Sequence, residues 1–186
     1  MSGRAPSLEN ERLALLPAAL HTDPASCGAA IVHGGPDLLD LIIAKDLGPL
    51  WHDRLQSNDL LASLPSATIA ALRRAHIAAT MGYLAQRATL DQLDRLFDAE
   101  GIASVAIKGA HVRECVYPDP VLRPASDVDI LIAPADRRRA ARALMDAGYS
   151  AYPAPANVSH EATFSRRPVL MKHLPRRLRD RRGRNV

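Results

Sequence analysis

Residues 122–133 read LRPASDVDILIA, and this stretch decides how the rest of the chain is read. A short apolar run rich in Ile and Val reads as a β-strand, yet Asp127 and Asp129 stand two residues apart at its head. Successive strand side chains point to opposite faces, so Asp127, Asp129 and Leu131 share one face and Val128, Ile130 and Ile132 the other, the expected core face. Two strand positions span roughly 6.6 Å, a separation at which two carboxylates can converge on one divalent ion or bridge a pair of ions. Hard oxygen ligands suit Mg²⁺ or Mn²⁺, and Mg²⁺ takes one or two carboxylates with the remaining positions left to water and phosphate. A bare pair of aspartates at a strand mouth is also an ordinary solvated feature, so its surroundings have to decide.

Upstream, IASVAI (102–107) is a β-type run, KGAHVRECVY a helical turn or two, and YPDP a break. Downstream, PADRRRAARALMDAG is a helix with Pro134 near its start and Gly148 at its end, and YSAY a third strand. Strand, helix, strand, helix, strand predicts a mixed layer. Lys108 and Gly109 follow the first strand and open a helix, where free backbone N–H groups and a missing Cβ allow a phosphate to approach closely. Gly109 alone would be a plain turn residue; beside a carboxylate strand it describes a triphosphate clamp.

The first hundred residues are expected to be helical and accessory. LENERLALLPAAL is a short helix that meets Pro17, TDPASCGAAIVHGGPD a loop, and DLLDLIIAKDLGPLWHDRL a helical stretch with a break near Gly48-Pro49. From Pro65, Ile69, Leu72, Ile77, Met81, Leu84, Leu90, Leu93, Leu96 and Phe97 recur at helical spacing until Gly101, as one long helix or two joined near Gly82, with packing as its task.

The net charge of +4 is unevenly spread: residues 166–186 carry nine Lys/Arg against Asp180, a local +8, so the preceding chain is mildly acidic at −4. Aromatic residues make up 4%, which leaves few rings for base stacking. Cys27 and Cys115 stand far apart in no CxxC pattern, and the seven histidines show no HxxxH or HExxH spacing, so neither a disulfide framework nor zinc is indicated. No run of membrane-spanning length is expected, and the cytoplasm is the expected location.

Lys108-Gly109, Tyr117-Pro118, Arg123, Asp127-Val128-Asp129 and Gly148-Tyr149 fall in an order that resembles an uncharacterised bacterial nucleotidyltransferase family of the DNA polymerase β-type superfamily, over about residues 100–150. The resemblance implies an α+β fold, with a small mixed β-sheet of nucleotidyltransferase type over 101–173 and a helical region over 1–100 packing on it; residues 174–186, dense in arginine and poor in apolar residues, read as a basic, disordered tail. The resemblance also implies Mg²⁺ or Mn²⁺ on Asp127 and Asp129, an NTP held by Lys108, Gly109 and Arg123, and transfer of a nucleoside monophosphate to an unknown acceptor. One departure stands out. The third carboxylate, expected just before a His in a later apolar segment, is absent from RRPVLMKHLP around His173; Glu161 and Asp180 lie elsewhere. Hence two rival expectations: a shortened, catalytically deficient relative that binds nucleotide or a partner protein without turnover, and a nucleic-acid binder using the basic tail.

Overall fold

The computed structural model describes residues 8–20, 23–152 and 163–166. The first helix, α1 (Leu8–Leu15), runs into a 3-10 turn over Leu16–Leu20, in keeping with Pro17. Asp23 starts α2 (Pro24–Ala44): its carboxylate accepts from the Ala25 amide and the Ser26 hydroxyl, both at 3.0 Å, and Pro24 sits where a missing N–H costs nothing. The stretch expected to be a loop is therefore helix. Cys27, Ala30 and Ile31 give it a buried face, and the Gly-Gly-Pro interruption shrinks to a kink at Gly35, φ +58°, just ahead of Pro36.

A short turn leads to α3 (Gly48–Gln56), and a long α4 (Ser66–Ala99) follows. Trp51, Leu38, Ile42, Leu55, Leu72 and Cys27 are fully buried and form the centre of the core that α2, α3 and the start of α4 share. Gly48 is tied to this packing: a Cβ there would stand 2.5 Å from the Ala75 Cβ. At 21 residues α2 is long and apolar enough to cross a membrane by length and composition, against the expectation that no such run exists. One face of it, with Cys27, Ala30, Ile31, Leu38 and Ile42, lies in the core just described.

Gly82 does not divide α4, since nothing approaches its Cβ position within 4 Å and the helix passes through unbroken. Leu72, Leu90, Leu93 and Phe97 are buried, but Ile77, Met81 and Leu84 are 62%, 63% and 55% exposed. The apolar spacing correctly gave the helix and overstated its packing, because periodicity does not say where along its length a neighbour lies.

The chain forms two compact units, Met1–Leu93 with Val105–Leu131, and Asp94–Ser104 with Ile132–Val186. In the first, β1 (Ser104–Ile107) leads to α5 (Lys108–Val116), and β2 (Asp129–Ile132) is the hydrogen-bonded neighbour of β1. In the second, α6 (Arg137–Asp146) buries Ala140, Ala143 and Leu144 and exposes Arg137, Arg138 and Arg142. Arg139, exposed like them, also donates to the Gly101 carbonyl at 3.1 Å and to Asp136 at 2.7 Å, tying α6 to the corner after α4. After Gly148 (φ +88°), β3 (Tyr149–Tyr152) pairs antiparallel with β4 (Thr163–Arg166), Tyr149 opposite Arg166 and Tyr152 opposite Thr163. Strand β4 has no counterpart among the expected elements: TFSR has no alternating apolar pattern, and the strand exists through backbone pairing. Helices with small sheets make this an α+β protein.

Two glycines on these helices should respond oppositely to alanine. Gly48→Ala should lower stability by about 1–3 kcal/mol through overpacking against Ala75. Gly82→Ala, on an open helix surface, should raise it by roughly 0.5–1 kcal/mol; chemical denaturation of both variants checks the sign of each.

Candidate active site

The strand β1 ends in extended backbone at Ile107 (φ −129°, ψ 179°), and the chain turns into α5 through Lys108, whose φ is +52°. A left-handed lysine costs roughly 1–2 kcal/mol, so the surrounding structure must hold it there. No side chain caps the N-terminus of α5, which leaves its first amides available to an anion. The next residue, Gly109, lies so close to the following loop that a Cβ would meet the Ala125 Cβ at 3.1 Å. The glycine thus admits the loop carrying Asp127, a close approach its place in the sequence did not suggest.

That loop is fixed from three sides. Asp119 accepts from the Val121 amide at 2.9 Å and starts a 3-10 turn over Pro120–Leu122, whose Val121 and Leu122 are buried. From α4, the Gln86 side-chain amide donates to the Ala125 carbonyl at 2.7 Å and to the Asp127 carbonyl at 3.2 Å. Gln86 was missed because it belongs to no motif and stands 39 residues from Ala125. A signal existed: Gln86 is in register with Leu90, Leu93 and Phe97, a polar residue continuing a buried apolar stripe.

Asp127 lies just ahead of β2, and the expected alternation is followed only in part: Asp127 and Leu131 are exposed, but Asp129 is half-buried like Val128, Ile130 and Ile132, none of which is fully buried. Lys108 donates to Asp129 at 3.0 Å. With both side chains in partial contact with water, such a pair is worth at most about 1 kcal/mol, so it orders the two groups and is readily exchanged for a ligand. Asp127, Asp129, Lys108, Gly109 and Arg123 all line one open cleft of about 550 Å³, and Asp46, from the corner after α2, lines it with them. The five residues chosen from sequence are thereby brought together. Glu161, His173 and Asp180 lie outside the described residues.

Two further groups stand near this region. Arg113, on α5, is buried, with its guanidinium 5.5 Å from the centre of the Tyr83 ring. Burial holds its pKa below the usual arginine range, Glu114 and Tyr83 act the other way, and the charge of Arg123 adds to the depression. On the exposed side of α5, the Cys115 thiol lies 3.7 Å from His111 Nδ1.

The chain belongs to the uncharacterised nucleotidyltransferase family, whose model matches residues 35–185. The match starts well before the stretch that carries the motifs and takes in α3, α4 and most of the second half of α2. No curated protein and no solved structure matches the chain.

If Gln86 clamps the loop as the distances indicate, Gln86→Leu should lose about 1–2 kcal/mol of stability, the sum of two modest hydrogen bonds. Amide hydrogen exchange across residues 125–128 should quicken more than exchange in α3; uniform quickening would mean that the substitution acts on the whole domain instead.

Proposed function

We propose that the cleft is the active site of a metal-dependent nucleotidyltransferase, which moves a nucleoside monophosphate from an NTP to an acceptor. The observation that carries this reading is the convergence of Lys108, Gly109, Arg123, Asp127 and Asp129 on one cleft, in a chain of a nucleotidyltransferase family. The donor chemistry suits Mg²⁺ or Mn²⁺: two carboxylates in an open, polar cleft leave room for water and phosphate oxygens. Asp127 and Asp129 would hold the ion, which when bound supplies charge neutralisation at the phosphates and orientation of the reacting oxygens.

The chain's own groups do the rest. Lys108 and Arg123 bring positive charge to the triphosphate, Arg123 with a planar fork that matches two phosphate oxygens at once. The uncapped first turn of α5 adds backbone N–H donors on the same side. Held this way, the α-phosphorus is attacked by an acceptor oxygen; a new P–O bond forms, the bond to the β-phosphate oxygen breaks, pyrophosphate leaves, and the acceptor proton passes to solvent. Binding of an NTP would draw Lys108 away from Asp129 and free that carboxylate for the ion, coupling nucleotide and metal binding.

Asp127→Asn and Asp129→Asn should each lower transfer at least a hundredfold, and a chelator should abolish it in the parent. Transfer of labelled nucleotide in the full chain measures both; unchanged transfer in the two variants would reject the assignment. Lys108→Met should weaken NTP binding about tenfold while leaving Mn²⁺ binding in the absence of nucleotide no weaker, since Asp129 loses its competitor. Isothermal titration of each ligand separately reads the two effects.

One observation favours a second reading. Among the described residues, no group of three His, Cys, Asp or Glu side chains is placed to hold a metal ion, and Lys108 already engages Asp129. A relative that binds nucleotide or a partner protein without turnover would look like this. It predicts nucleotide binding with no labelled product at any divalent ion concentration.

A further inference from the structure

The long helix α4 carries two apolar faces, and its own fold buries one of them. Leu72, Leu90 and Leu93 are buried, and Gln86 points the same way to reach the Ala125 carbonyl. Ile77, Met81 and Leu84 are largely exposed, and Ala88 is exposed in line with them. At 100° per residue these four fall within about 60° of one another, on the side of the helix away from Gln86. A surface helix ordinarily carries charged and polar side chains there. Their spacing of four, three and four is instead that of a coiled-coil seam, in which such residues meet a second helix.

Charges of opposite sign close the seam. The next position of the same repeat is Arg74 on the N-terminal side and Asp91 on the C-terminal side. Arg74 is exposed, and Asp91 accepts from Arg87 of its own helix at 3.3 Å, a water-exposed pair of little energetic weight. Set against its own reversal, the seam places Arg74 opposite Asp91, Ile77 opposite Ala88 and Met81 opposite Leu84. Each pair is complementary, by charge at the ends, by large against small next, and by similar volume at the centre. Laid parallel and in register, the same seam sets Arg74 on Arg74 and Asp91 on Asp91, like charges on like. The pattern therefore fits a second copy of itself running the other way, the self-complementary arrangement of a twofold pair.

We infer that this face of α4 is a dimer interface, on which α4 of a second copy packs antiparallel about a twofold axis between Met81 and Leu84, with an Arg74–Asp91 ion pair at each end. The two oxygens of Asp91 accept from Arg87 and from the facing Arg74 together. Packing against the core already fixes the helix, so association carries no cost of helix formation. Residues 74–91 span roughly 26 Å of helix. A seam of that length buries on the order of 1,000 Å² in total, the lower end for a specific pair, so the dimer is reversible and forms in the micromolar range. The partner stands on the far side of α4 from Gln86, and the inference does not depend on the active-site reading.

Sedimentation velocity of the full chain, with circular dichroism of each variant as a check on folding, tests the interface. The parent should pass from monomer to dimer across the micromolar range. Met81→Glu, at an exposed position, should keep the helical signal and raise the dissociation constant at least a hundredfold, since it sets a charge into the apolar centre from both copies. Arg74→Asp and Asp91→Arg should each raise it about tenfold, because each puts like charges opposite one another at both ends. The variant carrying both reversals should return to the dissociation constant of the parent, which an antiparallel pairing of these two positions requires. A parent that stays monomeric to the highest concentration overturns the inference, as does a dimer that survives Met81→Glu or one that the double reversal fails to restore.

Discussion

Two hydrogen bonds from Gln86 hold the candidate site in place. They tie the carbonyls of Ala125 and Asp127 to the long helix α4, while Gly109 lets the same loop lie against the start of α5. With the Asp119 turn and the buried Val121 and Leu122, these constraints set where Asp127 stands relative to Lys108, Arg123 and Asp129. The chemistry is carried on a loop, and the rigidity is borrowed from a helix that the motif does not include.

The energetics of the cleft point the same way. Its groups are mostly exposed or half-buried, the Lys108–Asp129 ion pair is weak, and two of its residues, Lys108 and Asp46, hold backbone conformations that cost free energy. None of this stabilises the fold. Stability comes from the core around Trp51, Leu38, Ile42, Leu55 and Leu72, in the helical region that also supplies Gln86 and Asp46. A helical region expected to be accessory thus furnishes both the support for the site and one of its carboxylates, in line with a family match that begins at residue 35.

Much of this was legible beforehand, for definite reasons. The apolar run after Asp129 gave β2, though not the burial of its faces, and the change from IASVAI to KGAHVRECV gave the junction of β1 and α5. Gly101 and Gly148 marked helix ends, and both have positive φ in the structure. The misreadings were equally physical. TDPASCGAAIVHGGPD looked like a loop because Gly and Pro were weighed against helix, whereas the Asp23 cap and the burial of Cys27, Ala30 and Ile31 outweighed them. The exposed Ile77, Met81 and Leu84 were expected inside because spacing along one helix carries no information about its neighbours.

By itself the sequence determined most of the helices, the junction of β1 with α5 and which side chains could do chemistry, since period, caps and glycine stops are local. Only the tertiary structure decided what stands beside the two aspartates. Gln86 and the close packing of Gly109 on Ala125 join residues 16 to 41 positions apart, and the cleft is lined by Asp46 as well as by Asp127, 81 positions away. Such contacts leave no periodic trace in the chain, because they are set by how helices and loops pack and not by the order of their residues.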